Sequence, residues 1–268
     1  LAAPAAAQLN VENEVLREVG VTQRVGDSVP LDLQFTDQDG RVVALGDYFV
    51  AGRPVLLTLN YSNCPALCIA QLDLLVETLN AVELAPAEDF LVLTVSVDPH
   101  EPPARAKQSQ ELYAGRWTRE DALAGWQFLV GAQPSIDRLA DAVGFAYRLV
   151  PETGEYAHEA VAILIGDGGV INRYFGGLEY DPQTIRYSVV EASAGELGGL
   201  TDFLFLSCYA YDPNAGGYAI EARKLMTAAG AVTVVVLGGF LLFLWRREIL
   251  AALRRRRAHA PSTGGVPR

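Results

Sequence analysis

The stretch Arg53-Pro54-Val55-Leu56-Leu57-Thr58-Leu59-Asn60-Tyr61-Ser62 is a nearly continuous apolar run that ends just before Cys64, and it constrains the fold more than any other segment. A run of this length and composition reads as a strand buried on both faces. From Pro65 the period changes. Leu67, Ile69, Leu72, Leu75, Val76 and Leu79 recur at helical spacing, and Pro65 occupies the first helical position, where its missing N–H costs nothing. The chain therefore passes from a buried strand into a helix at a cysteine.

The same alternation continues downstream. Residues 90–99, FLVLTVSVDP, predict a second buried strand, and 102–116, opened by Pro102 and Pro103, predict a helix. WQFLVG at 126–131 predicts a third strand, and 134–150 a short helix followed by a strand. Two β-rich runs in 158–176 flank Gly166-Asp167-Gly168-Gly169, a hairpin signal, and 181–195 predict a closing helix. Upstream, Asp39-Gly40 separates two short apolar stretches that read as an edge hairpin. Strands alternating with helices, then a terminal hairpin and helix, predict an α/β layer fold with a mixed central sheet, on a thioredoxin-like plan with an insertion.

Around this domain, expected at 26–190, lie segments of other kinds. Residues 1–25 are a lead-in, polar and partly helical from residue 8. Its first residues read either as the end of a signal peptide, with Ala5-Ala6-Ala7 before the cut, or as an Ala-rich linker. Residues 191–224 are a glycine- and aromatic-containing connector, expected to lie along a bilayer surface. From Leu225 to Trp245 no residue is charged, about the length an apolar helix needs to cross a bilayer. Arg246, Arg247 and Arg254 to Arg257 follow, against Arg223 and Lys224 on the other side. The arginine excess predicts a single pass with the 246–268 tail inside and the main domain outside, as in a bacterial cytoplasmic membrane with an extracytoplasmic domain. Residues 1–245 hold 14 basic and 31 acidic side chains, net −17. That balance argues against nucleic acid and favours cations or a basic protein partner.

Only three cysteines are present, Cys64, Cys68 and Cys208. In an oxidising compartment an odd, small number builds no disulfide framework, so their use is expected to be chemical. At a helix start, Cys64 is placed where the helix dipole favours its thiolate. Cys68 follows one turn later, with its sulfur on nearly the same face. The pair can close into a disulfide or share a ligand. Two thiolates and an imidazole suit a soft ion such as Cu(I), whereas structural zinc asks for a fourth ligand that the sequence does not offer convincingly. Of the histidines, His259 falls in the tail, His100 reads as an exposed loop residue, and His158 stands at the entrance of a β-run where its side chain can fold over the cysteine helix.

These residues resemble the Sco/SenC copper proteins, over 26–190. The family's C-P-x-x-C motif is matched by Cys64-Pro65-Ala66-Leu67-Cys68, its following strand ending by Ser96-Val97-Asp98-Pro99, and its histidine before a strand ending in I-G-x-x-G by His158 before AVAILIGDGG. Ile69 departs from the second proline common after the motif, and the anchor of better-known members is N-terminal. CYAYDPNAGGY, from Cys208 to Tyr218, is similar to a segment before the C-terminal helix of some bacterial members.

The resemblance implies a thioredoxin-like fold, a copper ion held by Cys64, Cys68 and His158, and cysteines that also cycle between dithiol and disulfide. It implies delivery of copper to, or maintenance of the thiols of, the binuclear copper site of cytochrome c oxidase, with the subunit carrying that site as partner and a copper donor protein as a second. The chain is then a metallochaperone with thiol-disulfide reductase chemistry open to it. Two other readings stand beside this one. One is a thiol-disulfide oxidoreductase with Cys64 and Cys68 as its redox pair and no obligatory copper; the other is an accessory subunit of a respiratory complex. Cys208 reads as an inert cysteine at the membrane interface, with copper ligation or docking as alternatives.

Overall fold

The computed structural model describes residues 19–64, 67–193, 209–212, 217–220 and 222–258; in the last three segments the described side chains are those of 226, 227 and 230–246. Thirteen strands are described: β1 Gly20–Val21, β2 Gln34–Asp37, β3 Val42–Ala44, β4 Val55–Asn60, β5 Leu91–Ser96, β6 Trp126–Val130, β7 Phe145–Ala146, β8 Arg148–Val150, β9 Glu155–Ala157, β10 Val161–Ile165, β11 Ile171–Gly176, β12 Tyr209–Asp212 and β13 Gly217–Ile220. The helices are α1 Leu67–Ala81, α2 Pro103–Ala114, α3 Ala122–Gly125, α4 Gln133–Ala142, α5 Pro182–Ala192 and α6 Ala222–Ala258.

Seven strands form the central sheet, in the order β11-β10-β4-β5-β6-β2-β3. β4, β5 and β6 are parallel neighbours, while β10, β11, β2 and β3 pair antiparallel. The sheet is mixed, as expected, and the β2–β3 hairpin is at its edge.

Alternation along β4 and β5 sorts side chains onto two cores. Val55, Leu57, Leu59, Leu91, Leu93 and Val95 face a cluster that includes Ile136 and Leu139 of α4. Leu56 and Val92 face a second cluster with Leu72, Leu75 and Leu79 of α1, Ala106 and Tyr113 of α2 and Ile185 and Val189 of α5. Leu57, Leu75 and Ile185 are at most 1% exposed, and each such burial is worth about 1.5–3 kcal/mol relative to exposure. The helices thus cover both faces of the central strands.

Several local expectations are corrected. Gly20–Val21, in the lead-in, is a strand paired with β7. The strand expected after α4 is divided into β7 and β8, and β8 turns back to pair with β9. Gly144 makes the turn from α4 into β7 at φ +64°, and a Cβ there would lie 2.0 Å from the Thr22 carbonyl oxygen. Only glycine fits this backbone at that approach. In the connector, β12 and β13 form a two-stranded sheet. Pro65, expected from the sequence to open the first helix, and Cys208 lie outside the described residues, as does His259.

The chain divides into two compact units, one of 1–206 with 211–218 and one of 207–210 with 219–268. α6 runs without interruption past 245, where a membrane helix was expected to end, to Ala258. Among the described residues no helix is long and apolar enough to cross a membrane. The side chains of 225, 228 and 229, inside the expected span 225–245, are not among those described.

Candidate metal centre

Cys64 follows β4 by four residues, and Cys68 lies in the first turn of α1. Both are buried thiols, 7% and 2% exposed. The Cys68 N–H donates to Cys64 Sγ at 3.3 Å, so a backbone group that the helix start leaves unpaired is directed at sulfur. Although most of α1 packs on one face of the sheet, Cys64 and Cys68 belong to the core cluster of the other. The first turn of the helix therefore reaches around the end of the strands.

His158 arrives from the far side of the chain, between β9 and β10. Its Nε2 is 3.1 Å from Cys68 Sγ, and its Nδ1 is 2.9 Å from the carbonyl oxygen of Glu159. A carbonyl only accepts, so Nδ1 carries the proton and Nε2 presents a lone pair to the sulfur. This is how a metal-binding imidazole is usually held, with its second nitrogen fixed by an outer partner. Tyr61 and Phe145 enclose the ring, with centroids 6.2 and 5.7 Å from it.

Gln71 was not anticipated. It is fully buried one turn after Cys68, and its Nε2 donates to the carbonyl of Val161 at 2.9 Å and to the Tyr180 hydroxyl at 3.2 Å. Val161 opens β10, three residues after His158. The bond therefore ties the helix carrying Cys68 to the strand entered from His158. A polar residue three positions from Cys68 on an otherwise apolar helical face was the available signal.

The charge state of the site follows from burial. The hydrogen bond with Cys64 and then desolvation push the Cys68 thiol far above its ordinary range, so it is protonated at neutral pH. Burial, followed by the neighbouring Cys64, also pushes the Tyr61 phenol up; its oxygen accepts the Tyr156 N–H at 3.3 Å.

The ligand atoms of Cys64, Cys68 and His158 all lie within 4.8 Å of one another, and this is the one such group of His, Cys, Asp and Glu among the described residues. Two thiols and an imidazole fit a soft, low-coordinate ion. His100 is not part of it: its side chain is 88% exposed, with Nδ1 3.4 Å from Asp98 Oδ1.

A family model described as SCO1/SenC matches residues 22–193. Among solved structures, a protein of Aquifex aeolicus VF5 is 22% identical with TM-score 0.56, covering 65% of this chain and 96% of that one. A SCO1/SenC family lipoprotein from Bacillus anthracis str. Ames is 18% identical with TM-score 0.51, covering 65% and 99%. ScoI of Bradyrhizobium japonicum with copper bound is 23% identical with TM-score 0.48, covering 63% and 99%. The comparison with curated proteins finds no match.

Proposed function

Because the chain belongs to the SCO1/SenC family, we propose that it is a copper carrier of cytochrome c oxidase assembly, holding one Cu(I) between Cys64, Cys68 and His158 on a thioredoxin-like scaffold. Copper is cargo in this reading. The ion would be taken from a donor protein and passed to the subunit that carries the binuclear copper site. The observation that carries the reading is the convergence of the three ligand atoms within 4.8 Å. The donor set supports copper over structural zinc, which would ask for a fourth ligand. The protein's own part is to hold the imidazole by the Glu159 carbonyl, to fix Cys68 against it through Gln71, and to exclude water with Tyr61 and Phe145. Cu(I) titration of the reduced protein against a chromophoric chelator tests it: one equivalent is expected for the wild type and none for Cys64→Ser/Cys68→Ser.

The hydrogen-bonded sulfur pair supports a second reading, reduction of a partner's disulfide. Cys64 thiolate attacks one partner sulfur and the other leaves as thiolate. Cys68 gives up its proton and attacks the mixed disulfide, which releases the partner as a dithiol and leaves Cys64 and Cys68 oxidised by two electrons. Trapping of a partner on Cys68→Ser from cells deprived of copper would favour this role.

Residues 225–245 are proposed to tether the domain to a membrane, with 246–268 on the cytoplasmic side. The support is the charge-free run, the arginines that follow it, and the exposure of Val232, Val235, Phe240, Leu242 and Trp245, each more than half exposed. So large an apolar surface calls for a lipid or protein cover. The full chain is expected to stay in the membrane pellet after alkaline washing, and its release would remove the tether.

A further inference from the structure

Beside the cysteine pair, between α1 and α2, is a cavity of about 360 Å³. It lies near the carboxyl ends of the parallel strands β4 and β5, where open α/β sheets commonly bind ligands. Cys68 contributes to its wall, together with Asn60 and Ser96 at the ends of those strands. Strands as buried as these rarely carry polar side chains without a partner.

Most polar groups there are accounted for. The Glu101 carboxylate accepts from the Ser62 N–H at 3.0 Å, from the Ser62 hydroxyl and from the Ser96 hydroxyl at 2.7 Å. Ser62 and Ser109 hydroxyls are 2.8 Å apart, and Thr94 is bonded to Thr58 and to the Trp126 indole N–H. Asn60 is the exception. It is 2% exposed, and neither Nδ2 nor Oδ1 has a hydrogen-bond partner. A buried amide left so keeps its full desolvation penalty, which a ligand carrying both a donor and an acceptor would remove.

We infer that this cavity binds a short zwitterionic peptide thiol, its amide paired with Asn60 and its sulfur at the Cys68 wall. A peptide amide offers the donor and acceptor together that Asn60 requires. Arg105 lines the mouth and is exposed, suited to a carboxylate, while Glu101 supplies the opposite charge. Exposed Ile69 and Leu112 complete an apolar rim. The volume lies in the range of small-ligand sites, enough for a molecule of a few residues. The inference rests on the copper-thiol reading of the pair, and it names the class of small molecule that shares the site with it.

The test is calorimetric titration of the reduced full-length protein in mild detergent with reduced glutathione, S-methylglutathione and an end-capped cysteine tripeptide, with Cu(I) binding measured in parallel. Saturable one-to-one binding of glutathione is expected, weakened about tenfold or more by S-methylation, by end-capping and by Asn60→Leu. Asn60→Leu replaces an unpaired polar group with an apolar one of similar size, so it should melt no lower than the wild type and bind Cu(I) unchanged. Absence of saturation overturns the inference. So does glutathione binding undiminished in Asn60→Leu, or S-methylated or capped ligands that bind as well as glutathione. Wild-type protein that holds Cu(I) but not glutathione sinks this inference alone; glutathione binding without Cu(I) sinks the copper reading alone.

Discussion

Nε2 of His158 lies 3.1 Å from Sγ of Cys68, two residues 90 positions apart in the chain. The contact places an imidazole lone pair against a buried sulfur, with the second ring nitrogen already fixed by the Glu159 carbonyl at 2.9 Å. Outer partners of metal-bound histidines are commonly worth about 10–100-fold in affinity, and losing the imidazole itself should cost at least as much. His158→Ala is therefore expected to weaken Cu(I) about 100-fold or more in chelator competition, with the far-ultraviolet dichroism of the domain retained.

Cys68 fixes the pH dependence. Its thiol is raised above the ordinary 9.0 by the Cys64 hydrogen bond and by burial. Above about pH 9 the unfolded chain releases this proton while the folded chain keeps it, so the folded state binds more protons there. The stabilisation is complete below the unfolded value and is lost as pH rises past it. The copper-free protein should lose stability in denaturant melts between about pH 9 and 11, and Cys68→Ala should lose less over the same interval.

The proton also competes with metal. Loading copper at neutral pH requires Cys68 to release it, so Cu(I) affinity should rise with pH, about tenfold per unit for each proton displaced. Potentiometry in weak buffer during Cu(I) addition reads that release directly.

Gln71 holds the two halves of the site in register through its 2.9 Å bond to the Val161 carbonyl. Gln71→Leu keeps the volume and removes the tie. It should cost about 1–2 kcal/mol of stability and weaken Cu(I) binding, while Leu75→Ala, a core truncation one turn further along α1, should cost about 2–5 kcal/mol with Cu(I) affinity largely kept. Urea melts and chelator competition on both variants separate positioning from general loosening.

Asp37 is held below its ordinary 3.8: burial acts to raise it, and the Arg41 backbone and side-chain bonds with the Asp39 N–H outweigh burial. Its contribution is present above about pH 4 and lost as pH falls below that value. Asp37→Asn should lower the melting temperature at pH 7, by about 1–3 kcal/mol of stability, and flatten the acid side of the stability curve.

The central strands, the helix after the cysteines and the β10–β11 hairpin were legible because their periods and punctuation are strong. Val55–Asn60 is buried at every position, and Gly166–Gly169 turns where the glycines predict. β1, β9 and the division of the strand after α4 into β7 and β8 were not legible, because two or three residues carry no period and their pairing is decided by distant partners. Cys64 and Cys68 announced themselves by spacing. His158 was singled out by the motif that follows it, since a histidine at a strand entrance is ordinary by position. Gln71 and Asn60 were missed because a lone amide in an apolar run does not reveal whether it is bonded or bare until the elements around it are packed.

X-ray absorption at the copper edge of the Cu(I)-loaded full-length protein, wild type beside His158→Ala, tests the ligand set most directly. The account predicts two sulfur ligands and one imidazole nitrogen in the wild type, with the imidazole scattering lost in the variant. A sulfur-only site in the wild type, or an unchanged spectrum in His158→Ala, would contradict it.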